Sequence, residues 1–258
     1  MKSIITTIVF LLISQISFCN VQDYAKLDSF FKVLEENDRF FGSVAVSRNG
    51  EIIYQKSIGY ADIETNTPNT INTKFRIGST TKTFTATLIM KAVESSKISL
   101  DDTIDEYFPS IQNADKITIR QLLNHRSGIN TFTDREYFSW YTKPISKTDL
   151  LDKIISKGIG FEPNAKYVYS NSNYVLLTFI LEDIFKQSYA QILQEYIVRP
   201  LDLKNTGYGG KINTAQKEAK SYRMKTEWEI EPEGDMSMPL GAGGIGSPPT
   251  GLGHYGAE

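Results

Sequence analysis

Residues Phe75 to Thr87 read FRIGSTTKTFTAT, and in this stretch Ser79 stands three residues before Lys82. An apolar stripe continues beyond it and predicts a packed helix over residues 79–95. Positions three apart share one helix face, so the serine hydroxyl and the lysine amine can meet. A serine becomes a good nucleophile when a nearby base takes its proton. A lysine whose pKa is lowered can be that base, or a lysine that stays charged can lower the pKa of another base nearby. The stretch therefore predicts a nucleophile at a helix N-terminus, where free N–H groups suit a developing oxyanion.

A second Ser-x-x-Lys sequence, at Ser29 and Lys32, warns that the spacing alone is not decisive. That copy falls in the amphipathic helix predicted over residues 24–36, where both side chains most simply face water. Ser79 differs because Gly78 precedes it, apolar residues flank it and a long apolar helix follows. The context therefore favours Ser79.

A possible partner for this pair is Tyr169-Ser170-Asn171, directly before another long apolar helix. A phenol close to a nucleophile can relay protons between that nucleophile and a leaving group. The Asn171 amide could bind a substrate amide and orient Lys82. The same three residues are also typical of a simple turn, and the pattern alone leaves that alternative open.

The composition is that of a globular protein and narrows the classes of partner and cofactor. The chain has 258 residues, a net charge of -2 and interspersed charges without a basic run, so we expect no nucleic-acid partner. Two histidines, His125 and His254, are too few for the three or four clustered ligands of a zinc site. We expect no metal and no organic cofactor.

The first 19 residues, MKSIITTIVFLLISQISFC, have the layout of a secretory signal peptide: Lys2, then a mostly apolar run. We expect this segment to be removed and the protein to be periplasmic or secreted. The mature domain, over residues 22–258, would then have no cysteine and no membrane span. Lipid attachment at Cys19 and an uncleaved anchor are the alternatives.

The remaining chain predicts a mixture of helices and one hairpin. Residues 42–62 alternate around Asn49-Gly50, which favours a β-hairpin. Apolar spacing predicts further helices in residues 117–128 (ending near Ser127-Gly128), 148–157, 175–184 and 189–198. The last 18 residues, GAGGIGSPPTGLGHYGAE, hold seven glycines and predict no packed helix or strand of normal length.

Five segments in this order resemble the serine β-lactamase-related family, in its class C and D-alanyl-D-alanine carboxypeptidase branch. The resemblance covers roughly residues 24–247, and its motifs are FRIGSTTK (75–82), ISLDD and YFP (98–109), ITIRQLLNHRSG (117–128), YSNSNY (169–174) and PLDLKNT (200–206). It implies an α+β fold in which an antiparallel sheet is flanked by helices. It also implies a helical subdomain inserted at about residues 63–165, with the site in the cleft between.

By this resemblance Ser79 is the acylated nucleophile, Lys82 its partner, Tyr169 the general base and acid, and Asn171 a substrate-binding residue. His125 occupies a structural position. The implied activity is hydrolysis of a β-lactam, a D-Ala-D-Ala peptide or a small ester through an acyl-enzyme. The implied partner is therefore a small-molecule or peptidoglycan-peptide substrate, and we expect a monomer. A His-dependent triad that uses His125 with another serine is a further alternative.

The family's third motif is Lys or His, then Ser or Thr, then Gly, on a strand that lines the cleft. The only local candidate is His254-Tyr255-Gly256, in which Tyr255 replaces the expected small hydroxyl residue. On this candidate, His254 and Gly256 are the predicted substrate-binding residues. Residues 238–252 resemble an earlier family segment, and on that alignment we expect the last strands to be missing and the C-terminal part to be incomplete. A catalytically impaired or non-catalytic binding protein of the same fold is therefore the alternative to the hydrolase.

Overall fold

The computed structural model describes residues 24–256. The predicted signal peptide and Cys19 lie outside these residues. In the described part of the chain, no helix combines the length and hydrophobicity that a membrane crossing requires.

The N-terminal layer is the predicted hairpin covered by one helix. Strands β1 (Gly42–Arg48) and β2 (Glu51–Ile58) pair antiparallel around Asn49 and Gly50, whose φ angles of 50° and 81° suit a tight hairpin turn. Helix α1 (Ala25–Glu36) lays Phe31 against Tyr54 and Ile58. The helix and hairpin predictions are thus confirmed, and together they form a small apolar cluster of their own.

In the part of the chain that the structure describes, the strands fall into four small antiparallel sheets. Besides the hairpin, β3 (Tyr60–Asp62) pairs with β4 (Thr67–Pro68), and β7 (Tyr222–Met224) pairs with β8 (Trp228–Ile230). A three-stranded sheet has the order β5 (Phe75–Arg76), β9 (Ile245–Ser247) and β6 (Gly207–Tyr208). The α+β prediction is confirmed. The antiparallel strands of residues 24–256 are divided among these small sheets instead of being joined in one.

The main core is helical, and two helices form its centre. Helix α2 (Thr81–Glu94) packs beside α5 (Asn171–Phe185), which is buried continuously from Ser172 to Leu181. The other helices are α3 (Ile119–Leu123), α4 (Lys147–Lys157), α6 (Tyr189–Leu193, continued by a π-helical turn Gln194–Val198), α7 (Leu240–Gly243) and α8 (Pro249–Tyr255). The boundaries of the predicted helical insertion, at about residues 63–165, stay a prediction.

Helix α3 ends earlier than the pattern predicts. It begins at a capping box in which Thr118 and Gln121 exchange side-chain and backbone hydrogen bonds, and it ends at Leu123 instead of near Ser127. The chain turns at His125, whose φ of 57° lies in the left-handed region. The cap predicted at Gly128 is therefore wrong.

The glycine-rich C-terminal segment packs closely into the fold. It supplies α7, α8 and the central strand β9, in which Ile245 is fully buried. At Gly241 a Cβ atom would stand 2.3 Å from Thr178 Oγ1, so only glycine permits this approach. The elements are short, as expected, but the prediction that they would not pack is wrong, because here the glycines allow contact.

Candidate active site

A tight turn carries Ser79 to the N-terminal end of α2. Gly78 has a φ of 53°, and residues Gly78–Thr80 form a 3-10 turn that leads directly into the helix. Ser79 is exposed at this point, with its Oγ 2.8 Å from the Tyr169 hydroxyl and 3.2 Å from Lys82 Nζ. The structure therefore brings together the hydroxyl, the amine and the phenol that the sequence singled out.

Lys82 is buried one turn into α2, with 7% of its surface exposed. Its ammonium donates to Ser79 Oγ, to Asn171 Oδ1 at 2.8 Å and to the carbonyl oxygen of Ala242 at 2.6 Å. All three acceptors are uncharged. Burial lowers the pKa of Lys82, and the interaction with Tyr169 opposes that change in part. The amine is therefore easier to deprotonate than a lysine in water.

Asn171 is the first residue of α5, where one threonine orients its side-chain amide and another binds its backbone. Its Nδ2 donates to Thr133 Oγ1 at 2.8 Å, and its backbone N–H donates to Thr131 Oγ1 at 3.3 Å. The amide oxygen consequently points to Lys82. Sequence reasoning missed both threonines, although their Thr-x-Thr spacing, just after the Ser-Gly pair, was a usable signal.

His125 lies behind Tyr169, with its ring centroid 4.5 Å from that of the tyrosine. Burial and the charge of Lys82 lower the pKa of His125 to about 4, so the imidazole is neutral near pH 7. Within residues 24–256 its ring nitrogen Nδ1 contacts the Ser170 backbone N–H and the Asn173 amide, not a serine hydroxyl. The geometry gives the His-dependent triad no support.

Helix α7 supplies the carbonyl that binds Lys82 and is held between α2 and α5. Thr85 Oγ1 donates to the Gly241 carbonyl at 2.7 Å, while the Gly241 N–H donates to Thr178 Oγ1 at 3.0 Å. These contacts place the adjacent Ala242 carbonyl on the lysine. Sequence reasoning missed Ala242, because a backbone acceptor leaves no residue-type signal.

The structure does not place His254 and Gly256 in this cluster. They end α8, which begins at Pro249, and proline is favoured at the first position of a helix. The Tyr255 ring stacks on Phe84 at 3.9 Å, and its hydroxyl lies 2.7 Å from Thr87 Oγ1. Thr87 is eight residues beyond Ser79, roughly 12 Å along the helix axis. The prediction of a cleft-lining strand is therefore wrong, and substrate binding by His254 and Gly256 loses its structural basis.

The hydrogen bonds join the site into one chain of groups, from Thr133 through Asn171 and Lys82 to Ser79 and Tyr169. Such a chain can remove a proton from the serine hydroxyl and return it to a leaving group. In residues 24–256, no three His, Cys, Asp or Glu side chains are grouped so that they could hold a metal ion.

Comparison with known proteins gives relatives in both sequence and structure. The chain is 33% identical to penicillin-binding protein 4* of Bacillus subtilis (strain 168) over 183 residues, which are 70% of this chain and 40% of that protein. It is 30% identical to a teichoic acid D-alanine hydrolase of Staphylococcus aureus (strain MRSA252) over 232 residues, covering 89% and 56% of the two chains.

Two solved structures have the same fold. The structure of FmtA from Staphylococcus aureus superposes with a TM-score of 0.78 at 27% identity, covering 90% of this chain and 64% of that one. A D-amino acid amidase from Ochrobactrum anthropi SV3, complexed with D-phenylalanine, superposes with a TM-score of 0.73 at 28% identity, covering 87% and 68%.

The chain spans about half the length of the known relatives it matches, between 40% and 56%. The family model described as "Beta-lactamase" nevertheless matches residues 27–257, nearly the whole chain. This match includes every residue of the hydrogen-bonded cluster. The chain therefore belongs to the beta-lactamase family; its relatives include a teichoic acid D-alanine hydrolase, and it shares its fold with a D-amino acid amidase.

Proposed function

We propose that this protein is a serine hydrolase that works through an acyl-enzyme formed on Ser79. The observation that carries the proposal is the position of Ser79 Oγ, 2.8 Å from the Tyr169 hydroxyl and 3.2 Å from Lys82 Nζ. An exposed serine hydroxyl can form its hydrogen bonds with water, so stability alone does not require an amine and a phenol beside it. Their presence at a helix N-terminus fits a nucleophile whose proton is removed during attack.

In this mechanism the Tyr169 oxygen takes the proton from Ser79 as Oγ attacks the substrate carbonyl. The phenol then gives the proton to the leaving group. In the second half the Tyr169 oxygen takes a proton from the water that attacks the acyl-enzyme and returns it to Ser79 Oγ as the acyl product leaves. Lys82 keeps its ammonium between Ser79 and Asn171 and stabilises the phenolate electrostatically. The backbone N–H of Ser79 is the available oxyanion donor at the start of the helix.

The proposed substrate class is an ester or amide of a D-amino acid, within the wider set of β-lactams, D-Ala-D-Ala peptides and small esters. The names of two relatives, the D-alanine hydrolase and the D-amino acid amidase, support this class. Ser79 is exposed and Tyr169 is 41% exposed, so a large acyl donor can reach the hydroxyl. A periplasmic or secreted location and a monomer stay predictions.

Labelling with a fluorescent penicillin, followed by intact mass, tests the nucleophile. We expect one covalent adduct on the wild-type protein and none on Ser79→Ala. Ser29→Ala is the matched control, because Ser29 begins the other Ser-x-x-Lys sequence and is exposed on α1. An adduct that persists in Ser79→Ala would refute Ser79 as the nucleophile.

A catalytically impaired or non-catalytic binding protein of the same fold is the second candidate. It is favoured by the helical conformation of residues 249–255, where the third motif needs a strand. A missing oxyanion donor slows acyl transfer about 100- to 1,000-fold. No adduct, and no turnover of a chromogenic cephalosporin, a nitrophenyl ester or a D-alanyl ester, would favour this reading.

A further inference from the structure

A single residue, His125, is hydrogen-bonded to the chain on both sides of Tyr169. Its carbonyl oxygen accepts the Val168 N–H at 3.0 Å, and its Nδ1 accepts the Ser170 N–H at 3.2 Å. The two donors are the residues immediately before and after the tyrosine. The backbone is therefore tied to one anchor on both sides of the tyrosine, at the peptide group that follows Tyr169 and at the one that precedes Val168.

The imidazole also packs among aromatic rings that limit the movement of the phenol. Its centroid lies 4.5 Å from the Tyr169 ring, 5.2 Å from Tyr174 and 6.0 Å from Tyr167. The Tyr174 hydroxyl donates to the Leu123 carbonyl at 3.0 Å, which fixes that ring in turn. His125 itself is 7% exposed, so water does not compete for its contacts.

The hydrogen bond from Ser170 requires an unprotonated Nδ1, and the surroundings keep it so. The titratable groups that face the ring are Lys82 from α2, Tyr167 and Tyr169 from the preceding loop, and Tyr174 from α5. None of these four groups is a carboxylate, and the Lys82 cation opposes a second positive charge on the ring. Burial and Lys82 accordingly lower the pKa of His125 to about 4. The neutral ring therefore persists near pH 7.

We infer that His125 is a positioning residue, which holds the Tyr169 phenol within hydrogen-bond reach of Ser79 Oγ. The inference rests on the proposed hydrolase function. It assigns His125 no contact with substrate and no proton transfer. Its effect is to hold the Tyr169 hydroxyl 2.8 Å from Ser79 Oγ for most of the time. Proton transfer can then occur before a bound substrate dissociates.

Two substitutions at this position separate the acceptor from the backbone conformation. Both glycine and asparagine adopt the left-handed conformation that His125 has, with a φ of 57°. His125→Asn returns an acceptor oxygen near the position of Nδ1, whereas His125→Gly has none. Arg126→Ala is the control, because Arg126 holds the same loop at Asn164 through bonds of 2.8 Å, five residues before Tyr169.

The experiment measures the acylation rate constant and the substrate dissociation constant separately, by stopped-flow with a fluorescent penicillin. We expect His125→Gly to acylate about 10- to 100-fold more slowly at an unchanged dissociation constant, and His125→Asn to recover most of the rate. Arg126→Ala should stay within about 3-fold of wild type. Equal rates for His125→Gly and wild type, or equal losses in His125→Gly and His125→Asn, would overturn the inference.

Hydrogen exchange of the peptide that contains residues 168–170 provides a readout that needs no activity. We expect about 10-fold faster exchange in His125→Gly and near wild-type exchange in His125→Asn. A wild-type protein that is never acylated would refute the hydrolase proposal. In that case the exchange data would still support the anchoring of Tyr169 if only His125→Gly changes, or overturn it if neither variant does.

Discussion

Replacing Gly241 by alanine perturbs the active site from within the core. The new Cβ atom would meet Thr178 Oγ1 at 2.3 Å and Thr85 Oγ1 at 2.6 Å. Ordinary contact begins near 3.4 Å, so α7 has to move by about 1 Å in a closely packed interior. Overpacking of this kind costs about 1–3 kcal/mol, and the better helix propensity of alanine returns up to about 1 kcal/mol. We expect Gly241→Ala to lose about 1–2 kcal/mol of unfolding free energy.

The same movement carries the Ala242 carbonyl oxygen away from Lys82, whose ammonium donates a hydrogen bond of 2.6 Å to it. A displacement of about 1 Å in a catalytic arrangement can lower the rate up to about 100-fold, so we expect acylation of Ser79 to slow about 10- to 100-fold.

Urea unfolding and penicillin acylation measure the two effects in one preparation. Gly210→Ala is the control, because a Cβ atom at Gly210 meets nothing within 4 Å. If Gly241→Ala is as stable and as rapidly acylated as Gly210→Ala, the reasoning is refuted, because α7 can then accommodate a Cβ atom without moving.

Three further substitutions test other parts of the site. Lys82→Met removes a buried ammonium, so we expect little or no change in the unfolding free energy while the acylation rate constant falls at least about 100-fold. A large loss of unfolding free energy in urea would contradict this expectation. Because the pKa of His125 falls from 6.5 to about 4 on folding, the unfolded chain binds its proton first and stability rises with pH across that interval. Between pH 6.5 and pH 4, the unfolding free energy of the wild type should therefore fall by roughly 3 kcal/mol more than that of His125→Asn, as measured by urea unfolding. Parallel curves of unfolding free energy against pH would contradict the lowered pKa. Gly128→Ala combines a φ of 86° with a Cβ atom 2.1 Å from the Phe161 carbonyl oxygen, so its melting temperature should drop sharply, by the equivalent of about 3 kcal/mol or more; an unchanged temperature would show that this turn can relax.

The features that depend on residues close together in the sequence were predicted correctly. Ser79 and Lys82 meet because positions three apart share a helix face, and the Asn49-Gly50 hairpin forms because its turn residues accept positive φ angles. Tyr169 required the order of several motifs, because no local rule relates it to a serine 90 residues earlier.

The errors have the opposite origin. The glycines of the last segment looked like a sign of poor packing, but Gly241 is small because Thr178, 63 residues earlier, occupies the adjacent space. The His254 motif matched a pattern of letters, while Pro249 started a helix through it. Ala242 contributes through its backbone, which any residue would possess. Such features depend on contacts between residues that are distant in sequence, and one sequence alone does not identify those contacts.

The central position of β9 has a consequence for the order in which the molecule is assembled. Phe75 pairs with Ser247, and the ammonium of Lys82 binds a carbonyl 160 residues later. During vectorial synthesis, α2 emerges long before the segment that completes its surroundings. Contacts of such long sequence separation close slowly, and the waiting helix exposes apolar surface in the meantime. The nascent chain is therefore most vulnerable to aggregation and to chaperone capture until translation has passed residue 247.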